Sequence, residues 1–296
     1  MENVLTLIAG SGTVNDSTVA RVRSALLSLA ADIDRIDWLA PGEACDLPFD
    51  NLAPDQADAA ARAALDGLPV DVVAQPVAGR RKMLLVADMD STFVTEETLD
   101  EIAAHAGLKE RIAAITARAM NGELDFAEAL RERVGMLAGL PEDVLETTWR
   151  SMHLMPGGPT VVRTMRANGA HTVLVSGGFK YFTTRVREAC GFHDDVANDF
   201  VIEDGRLSGR VIEPIVDRHI KLDTLKRVAS ERQIPLTLTA SVGDGANDLP
   251  MLKASGLGVA YHAKRIVTAS APHRVDHADL TALLYAQGYH REEFSG

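Results

Sequence analysis

The sequence from Leu84 to Val94 reads LLVADMDSTFV. A run of apolar residues ends in two aspartates one residue apart, Asp88 and Asp90, and a serine and a threonine follow. An apolar run without alternation is typical of a strand that is buried on both faces of a parallel sheet. Because carboxylates are costly to bury without partners, the two aspartates need partners that the apolar run itself does not supply.

Similar strand ends recur further along the chain. The runs TVLVSGG, from Thr172, and LTASVGDG, from Leu238, are also apolar stretches that end in glycine or aspartate. Helical segments separate these runs, which is the pattern of an α/β fold with a doubly wound parallel sheet. Ligands in such folds bind at the carboxyl ends of the strands. The sequence therefore predicts a Rossmann-like core over residues 81–296, with its polar residues collected at one edge of the sheet.

The segment between Thr95 and His153 carries no strand signal. Its periodicity predicts successive helices, separated by glycines. An insertion after the first strand would lie above the carboxyl ends, where a lid is well placed. We therefore predict a helical cap over approximately residues 95–153. Its helices are expected at Glu96–Ala106, Lys109–Met120, Asp125–Leu137 and Glu142–Ser151.

Residues Phe200–Ile212, FVIEDGRLSGRVI, interrupt the alternation of strands and helices a second time. Two β-rich halves flank Asp204-Gly205, which is a hairpin signal. We interpret this stretch as a small β excursion with a structural role.

The first 80 residues predict a separate α+β unit. Their strands and helices follow the order β-α-β-β-α-β, which is the ferredoxin-like pattern. The segment Gly79-Arg80-Arg81-Lys82 then separates this unit from the strand at Leu84, so we divide the chain into residues 1–80 and 81–296. The strands are expected at Val4–Ala9, Ile33–Leu39, Ala44–Phe49 and Val70–Ala74, and the helices at Ser17–Leu29 and Pro54–Leu65.

Composition argues against several classes of protein. Of the 296 residues, 46% are apolar and 24% are charged, as in ordinary globular proteins. The net charge of −12 argues against a dedicated nucleic-acid binder and gives no attraction to anionic membranes. Without a signal-peptide pattern or a run of about 18 apolar residues, the chain is expected to be cytoplasmic. Cys45 and Cys190 are expected to be reduced packing residues.

Asp88 and Asp90 form the first candidate site. Residues two apart on an extended chain point to the same side, so both carboxylates would reach one pocket. Such a pair can hold a divalent cation, or act as nucleophile and general acid or base. A plainer interpretation is that Asp90 or Ser91 caps the following helix. The triplet DxD alone is too common to decide between the two.

Two further segments would supply positive potential. In VLVSGGF, from Val173 to Phe179, a strand ends at Ser176, and the glycines let backbone N–H groups approach an oxyanion at a helix start. Lys221 lies in the first turns of an amphipathic helix and would neutralise a phosphate if it points to the strand ends. The alternative for the first segment is an ordinary strand-to-helix turn, and the alternative for Lys221 is a solvated surface lysine. Each alternative stays open while its segment is considered alone.

The stretch SVGDGANDLPML, from Ser241 to Leu252, combines a strand end, a glycine turn and a helix start. Asp244 and Asp248 add carboxylates that would complete a magnesium site, since Mg²⁺ prefers oxygen ligands and usually takes one or two protein carboxylates. The alternative is a capped helix in which Asp248 interacts with the dipole. Because the pattern is longer than a cap requires, it favours function.

In this order, DMDST, SGGF, Lys221 and GDGANDLPM resemble the motifs of the haloacid dehalogenase superfamily of phosphotransferases, and more closely those of its phosphoserine phosphatase family. The resemblance extends from about Met83 to the C-terminus. It implies Mg²⁺-dependent hydrolysis of O-phospho-L-serine to L-serine and phosphate through an aspartyl-phosphate intermediate, the last step of serine biosynthesis.

The same resemblance implies a role for each motif residue. Asp88 matches the nucleophile, and Asp90 matches the general acid that protonates the leaving oxygen and then activates water. The resemblance assigns the metal to Asp88, Asp90 (through its backbone carbonyl), Asp244 and Asp248, and the phosphate to Ser176, Gly177 and Lys221, with Asn247 in support.

The cap would recognise the rest of the substrate. Glu97 resembles a family glutamate that binds the substrate ammonium group. The stretch Ala119–Val134 resembles the cap of the family, in which Arg133 matches an arginine that binds the substrate carboxylate. An arginine fork suits a carboxylate because it donates two parallel hydrogen bonds. Met120 and Phe126 would line the same pocket. The plainer interpretation is surface charge for Glu97 and Arg133, and cap core for Met120 and Phe126.

The first 80 residues resemble the ACT-type regulatory modules of some bacterial members of this family. Amino-acid regulation, homodimer formation and structural support all stay open for them. The main alternative function is a phosphatase or phosphotransferase for another small metabolite, such as phosphohomoserine. A non-enzymatic phospho-acceptor is disfavoured by the cap and by Asp90, and a catalytically inactive amino-acid sensor by the intact motifs.

Overall fold

The chain begins with an antiparallel sheet in the computed structural model, which describes residues 1–10, 12–120 and 124–296, without the side chains of Ala117, Ala119, Met120 and Arg218. Its strands are β1 (Asn3–Ala9), β2 (Asp32–Ile33), β3 (Asp37–Ala40), β4 (Ala44–Asp50) and β5 (Val70–Pro76), and its helices are α1 (Asp16–Ser28) and α2 (Pro54–Leu65). The strand order is β2-β4-β1-β5, with β3 also on β4. The predicted α+β character is therefore confirmed.

One N-terminal strand differs from the prediction. The stretch expected as Ile33–Leu39 is divided into β2 and β3, which both pair antiparallel with β4. Asp34, Arg35 and Ile36 lie between the two strands. Charged residues are depleted in strands because a pleated, half-buried surface gives them no partners, so this polar step breaks the strand.

A parallel sheet forms the larger part of the molecule. Its strand order is β13-β12-β11-β6-β7-β8. Its strands are β6 (Leu84–Ala87), β7 (His171–Phe179), β8 (Asp194–Asn198), β11 (Thr239–Gly243), β12 (Leu257–Tyr261) and β13 (His273–Val275). The surrounding helices are α7 (Gly158–Ala167), α8 (Lys180–Cys190), α9 (Arg218–Glu231), α10 (Leu249–Ala254), α11 (Arg265–Thr268) and α12 (Ala282–Ala286), and short 3₁₀ turns lie at Leu236–Leu238 and Arg291–Glu293.

The sheet is buried on both faces, as its apolar runs predict. Along β6, Leu84 and Val86 pack into a core with Leu225 of α9, whereas Leu85 and Ala87 pack into the opposite core with Phe182 of α8. The doubly wound fold is therefore confirmed. Because β6 lies between β7 and β11, the carboxyl ends of the motif-bearing strands are neighbours at one edge.

A helical insertion and a hairpin lie above this edge. The insertion contains α3 (Thr98–His105), α4 (Lys109–Met120), α5 (Phe126–Gly135) and α6 (Asp143–Ser151), and the hairpin contains β9 (Phe200–Glu203) and β10 (Arg206–Val211). The insertion leaves and rejoins the core side by side, since Val94 and Leu154 form an antiparallel bridge. The hairpin turns at Asp204 and Gly205, both with positive φ, as type I′ turns require.

The N-terminal sheet packs directly on the parallel-sheet part. Its helix-free face contributes Ile8 and Val73 to the core that contains Tyr285. Asp71, on the same face, accepts hydrogen bonds from the backbone N–H groups of residues 276, 277 and 278. Within the described ranges, none of the helices has the length and apolar character needed to cross a membrane.

Candidate active site

The strand ends bring a buried ammonium group against two carboxylates. Asp88 follows β6 directly, and its N–H donates to Val242 of β11 at 3.0 Å, which fixes its direction. Lys221 extends from the first turns of α9, with its Nζ 2.8 Å from Asp88 Oδ1 and 2.6 Å from Asp248 Oδ1. The side chain of Lys221 is only 2% exposed. The structure therefore decides the question that the sequence left open, because this lysine points into the strand ends.

Negative charge exceeds positive charge at this position. Ligand atoms of Asp88, Asp244 and Asp248 lie within 4.8 Å of one another in the described part of the chain. Burial and the charge of Asp248 raise the pKa of Asp88 well above its usual value, although Lys221 opposes the shift. Burial and Asp248 also raise the pKa of Asp244 to about 6. Carboxylates that one ammonium does not neutralise form a donor set that fits a divalent cation such as Mg²⁺.

Lys221 stays protonated in this environment. Burial alone would lower the pKa of an ammonium group, but Asp248 and Asp88 together raise the pKa of Lys221 above its ordinary value. A buried charge of this kind is tolerable only when it is paired and hydrogen-bonded. The lysine therefore provides a permanent positive charge beside the nucleophile candidate.

Asp90, two residues after Asp88, has different hydrogen-bond partners. Its Oδ1 accepts a hydrogen bond from the Thr98 N–H at 2.8 Å, and its Oδ2 accepts one from Ser176 Oγ at 3.0 Å. Burial raises its pKa, and the hydrogen bonds from Thr98 and Ser176 offset part of that shift. A raised pKa suits a carboxyl group that must carry a proton. Thr98 is the first residue of α3, whose N-cap is Glu97, so Asp90 accepts from a helix N–H without being the N-cap that the alternative interpretation expected.

The glycine turn, by which we mean residues 176–178, is held close to Asp90. These residues lie at the irregular end of β7, which continues to Phe179 rather than ending at Ser176 as predicted. The Gly178 N–H donates to Ser176 Oγ at 2.8 Å. A Cβ atom at Gly178 would lie 2.9 Å from Asp90 Oδ2, and one at Gly177 would lie 3.0 Å from Cζ of Phe126. A side chain at either position would therefore displace a neighbour, Asp90 on one side and the cap residue Phe126 on the other.

The loop after β11 folds its polar side chains onto its own glycines. Asp248 Oδ2 accepts a hydrogen bond from the Gly245 N–H at 2.9 Å. A Cβ atom at Gly243 would overlap Asp248, and one at Gly245 would overlap Asn247. Asp248 is fully buried, whereas Asp244 and Asn247 are half-buried. The spacing of this motif thus places Asp248 beside Lys221 and leaves Asp244 at the mouth of the cluster.

Arg133 of the cap carries a guanidinium group without a carboxylate partner among the described residues. Its Nε donates to the Ala129 carbonyl at 3.2 Å, and Nη1 donates to Thr116 Oγ1 at 3.4 Å. Partial burial lowers its pKa, while Asp100 and Glu97 act in the opposite direction. A half-buried cation of this kind is ready to accept an anionic ligand.

Glu97 lies at the start of α3, where solvent still reaches it. Ser91 Oγ donates to Glu97 Oε1 at 2.8 Å. Desolvation by the surrounding protein and the charge of Asp90 raise the pKa of Glu97 to about 7. Of the remaining cap candidates, Phe126 touches Gly177, whereas the side chain of Met120 lies outside the described residues.

Thr98 and Asn198 were missed by the sequence motifs. Thr98 holds Asp90 through its N–H. Asn198 ends β8 and donates from Nδ2 to the Gly177 carbonyl at 2.8 Å. A polar residue after the short apolar run at the end of β8 was the available signal, and it is the same signal that identified Asp88.

A family model and a named relative each match more than half of this chain. A family model described as haloacid dehalogenase-like hydrolase matches residues 85–253. The chain is 39% identical over 293 residues to a Streptomyces coelicolor protein named phosphoserine phosphatase, which covers 98% of this chain and 71% of the relative.

Solved structures resemble the whole chain and its larger part. A haloacid dehalogenase family hydrolase from Salmonella enterica serovar Typhi superposes with a TM-score of 0.85 at 30% identity, covering 98% of this chain and 99% of the other. A phospho-aspartyl intermediate analogue of a phosphoserine phosphatase gives 0.64 at 35% identity, covering 69% and 98%. With its parallel sheet, cap and acidic strand ends, the chain belongs to the haloacid dehalogenase-like hydrolases and, within them, to the phosphoserine phosphatase family.

Proposed function

We propose that the protein hydrolyses O-phospho-L-serine to L-serine and inorganic phosphate with Mg²⁺ as cofactor. The observation that carries the proposal is the position of Asp88, whose carboxylate lies 2.8 Å from Lys221 in an acidic cluster. Asp90, a second carboxylate on the same loop, is hydrogen-bonded to Ser176 rather than to this cluster. Two carboxyl groups in such different environments suit two different chemical roles.

In the proposed reaction, a carboxylate oxygen of Asp88 attacks phosphorus to form an aspartyl-phosphate. The seryl oxygen leaves and takes a proton from Asp90. Asp90, now ionised, accepts a proton from water, whose oxygen attacks the same phosphorus, so that phosphate is released and Asp88 is regenerated. Lys221, Ser176 and the N–H groups of the glycine turn bind the phosphoryl oxygens, and Asn247 supports the loop beside them.

Asp88, Asp244, Asp248 and the backbone carbonyl of Asp90 would hold the metal. The excess of carboxylates and the raised pKa values of Asp88 and Asp244 support this assignment, because burial and the charge of Asp248 both disfavour the ionised carboxylates in the absence of a cation. A bound Mg²⁺ supplies charge that offsets the repulsion between a carboxylate nucleophile and a phosphate dianion.

The cap is proposed to select the amino acid. Arg133 would bind the substrate carboxylate and Glu97 its ammonium, with Phe126 and Met120 lining the space between them. The absence of a carboxylate partner for Arg133 in the described ranges supports its part in this scheme. The acidic side chain would then pair with the ammonium group of the substrate, and the basic side chain with its carboxylate.

Release of inorganic phosphate from L-phosphoserine, measured with Mg²⁺ and then with EDTA, tests the proposal. We expect turnover with the metal and its loss with the chelator. Phosphohomoserine and an aryl phosphate serve as comparison substrates. Equal kcat/KM on all three compounds would contradict the serine assignment, and a single phosphorylation without turnover would contradict the enzyme assignment.

The larger context is also proposed. Residues 1–80 would form an ACT-like regulatory or structural domain, and residues 81–296 the phosphatase domain, with a cap over approximately residues 95–153. The break between Pro76, which ends β5, and Leu84, which begins β6, supports this division.

We place the reaction in the cytoplasm, as the last step of serine biosynthesis. We also propose that the protein forms a homodimer through its N-terminal domain. Sedimentation velocity tests this proposal, and a monomer at all protein concentrations would contradict it.

A further inference from the structure

Asn198 lies behind the proposed phosphate-binding turn and belongs to none of the sequence motifs. It is the last residue of β8 and is 2% exposed. Its Nδ2 donates to the carbonyls of Gly177, at 2.8 Å, and Val216, at 3.1 Å. Its Oδ1 accepts from the Val216 N–H at 2.7 Å. The carboxamide therefore uses both donor hydrogens and its oxygen on backbone groups, which fixes its orientation.

The backbone groups that Asn198 binds belong to two segments that supply the site. Gly177 belongs to the turn that would bind the phosphoryl oxygens. Val216 directly precedes Asp217, the N-cap of α9, whose side chain accepts a hydrogen bond from the backbone of that helix at 2.8 Å. Since α9 carries Lys221, one buried side chain connects the anion-binding turn to the helix that supplies the positive charge.

The same side chain also closes the base of the β9–β10 hairpin. Asn198 and Val216 lie at the two ends of the excursion that contains this hairpin. At its far end the hairpin is hydrogen-bonded to the cap through backbone groups. These bonds run from Gly139 N–H to Leu207 O (2.8 Å), from Leu207 N–H to Leu140 O (2.9 Å) and from Glu142 N–H to Gly205 O (2.9 Å).

We propose that Asn198 is a positioning residue for the phosphoryl subsite, which holds the Gly177 turn at a fixed distance from Lys221. This inference rests on the proposed phosphatase function. An oxyanion site is effective only when its donors are already in place, because a displacement of about 1 Å can cost roughly 100-fold in rate. Without the amide, the Gly177 carbonyl loses its partner and the turn can move away from the lysine.

The test uses Asn198→Ala, which removes all three hydrogen bonds, and Asn198→Asp. The aspartate variant keeps the acceptor for the Val216 N–H but turns a carboxylate oxygen toward the two carbonyls. We expect both variants to weaken binding of inorganic phosphate, measured by calorimetry with Mg²⁺. We also expect kcat/KM to fall by about 10- to 100-fold, by the same factor for phosphoserine and for p-nitrophenyl phosphate.

The control is a core variant far from the site, Val22→Ala in α1, which is expected to lower the melting temperature while phosphate affinity is unchanged. If Asn198→Ala does not fold, Asn198→Ser gives the same measurements with a shorter polar side chain. Wild-type phosphate affinity in a folded Asn198 variant would overturn the proposal, and so would a loss confined to phosphoserine. Failure of the wild-type protein to hydrolyse phosphoserine would instead contradict the proposed function, since phosphate binding is measured independently.

Discussion

At the level of single residues, the burial of the carboxylates is explained by the charge that they contact. Asp88 is 6% exposed and Asp248 is fully buried, yet both touch the ammonium group of Lys221. A buried ion pair seldom adds net stability, because desolvation offsets the attraction. These charges therefore indicate chemistry rather than folding, and the raised pKa of Asp88 shows that its ionised form is a cost to the folded state.

Asp88→Asn separates the two effects. The carboxamide has nearly the same shape but is no nucleophile, so we expect phosphate release to fall by at least about 1,000-fold. The melting temperature should be unchanged or higher, since the substitution removes a charge that repels Asp248, while Lys221 keeps its ion pair with Asp248. Phosphate release and thermal unfolding measure the two outcomes. Substantial retained activity would exclude Asp88 as the nucleophile.

Arg133→Ala tests substrate selection by the cap. Loss of charge-assisted hydrogen bonds to the substrate carboxylate should lower kcat/KM for phosphoserine by roughly 10- to 100-fold. An aryl phosphate lacks that carboxylate and should be affected little. Arg131→Ala, on the same helix, is the matched control, because Arg131 pairs with Glu213 at an exposed position. Equal losses on both substrates would contradict the role of Arg133.

At the scale of elements, the β9–β10 hairpin is more than a surface excursion. Its backbone pairs with the segment between α5 and α6, and Gly209 approaches the cap so closely that a Cβ atom there would lie 2.8 Å from Ala138 Cβ. The cap is therefore attached to the core through the hairpin as well as through its own connections. This contact limits how far the cap can move without the hairpin.

Two glycines of the hairpin give a matched pair of variants. Gly205 and Gly209 both have positive φ, but a side chain at Gly205 would meet no atom within 4 Å. Gly205→Ala should therefore cost only backbone strain, about 1–2 kcal/mol. Gly209→Ala should cost a further ~1–3 kcal/mol from overpacking against the cap. Urea denaturation measures the difference, and equal costs would show that the cap contact is unimportant for stability.

At the scale of the whole molecule, the N-terminal sheet and the parallel-sheet part share buried polar contacts. Arg80 donates to Asp46 at 2.7 Å, and it also donates to the Ala286 and Tyr285 carbonyls. Gln75 donates to the Ala286 carbonyl at 2.6 Å. These contacts, together with Asp71, make the N-terminal sheet a packed part of the structure, which favours at least a supporting role for it.

Arg80→Met tests the strength of this interface. The side chains of Arg80 and Asp46 are 12% and 6% exposed, so the substitution leaves a buried carboxylate unpaired and should destabilise the protein by about 3–5 kcal/mol. The neighbouring Arg81 pairs with Glu293 at 45% and 33% exposure, and Arg81→Met should cost less than about 1 kcal/mol. Chemical denaturation of both variants decides, and similar small costs would contradict a tight interface.

The sequence by itself determined the class of fold and most of the candidate site. Apolar runs that end in polar residues predict parallel strands, and the carboxyl ends of neighbouring parallel strands meet at one edge. DMDST, SGGF and GDGAND could therefore be placed together without coordinates, because strand ends are local features. The separate N-terminal sheet followed from local periodicity in the same way.

Only the tertiary structure decided what depends on packing between distant segments. The direction of Lys221 is fixed by α9 lying on the sheet, which its own helical periodicity does not specify. The contacts of Asn198 join residues 177, 198 and 216, and no local pattern requires that meeting. The attachment of the hairpin to the cap is likewise long-range backbone pairing. Residues that carry the chemistry can be recognised in short stretches of sequence because their spacing is local. The partner of a buried polar group comes from a distant segment, so it is known only once the chain has folded.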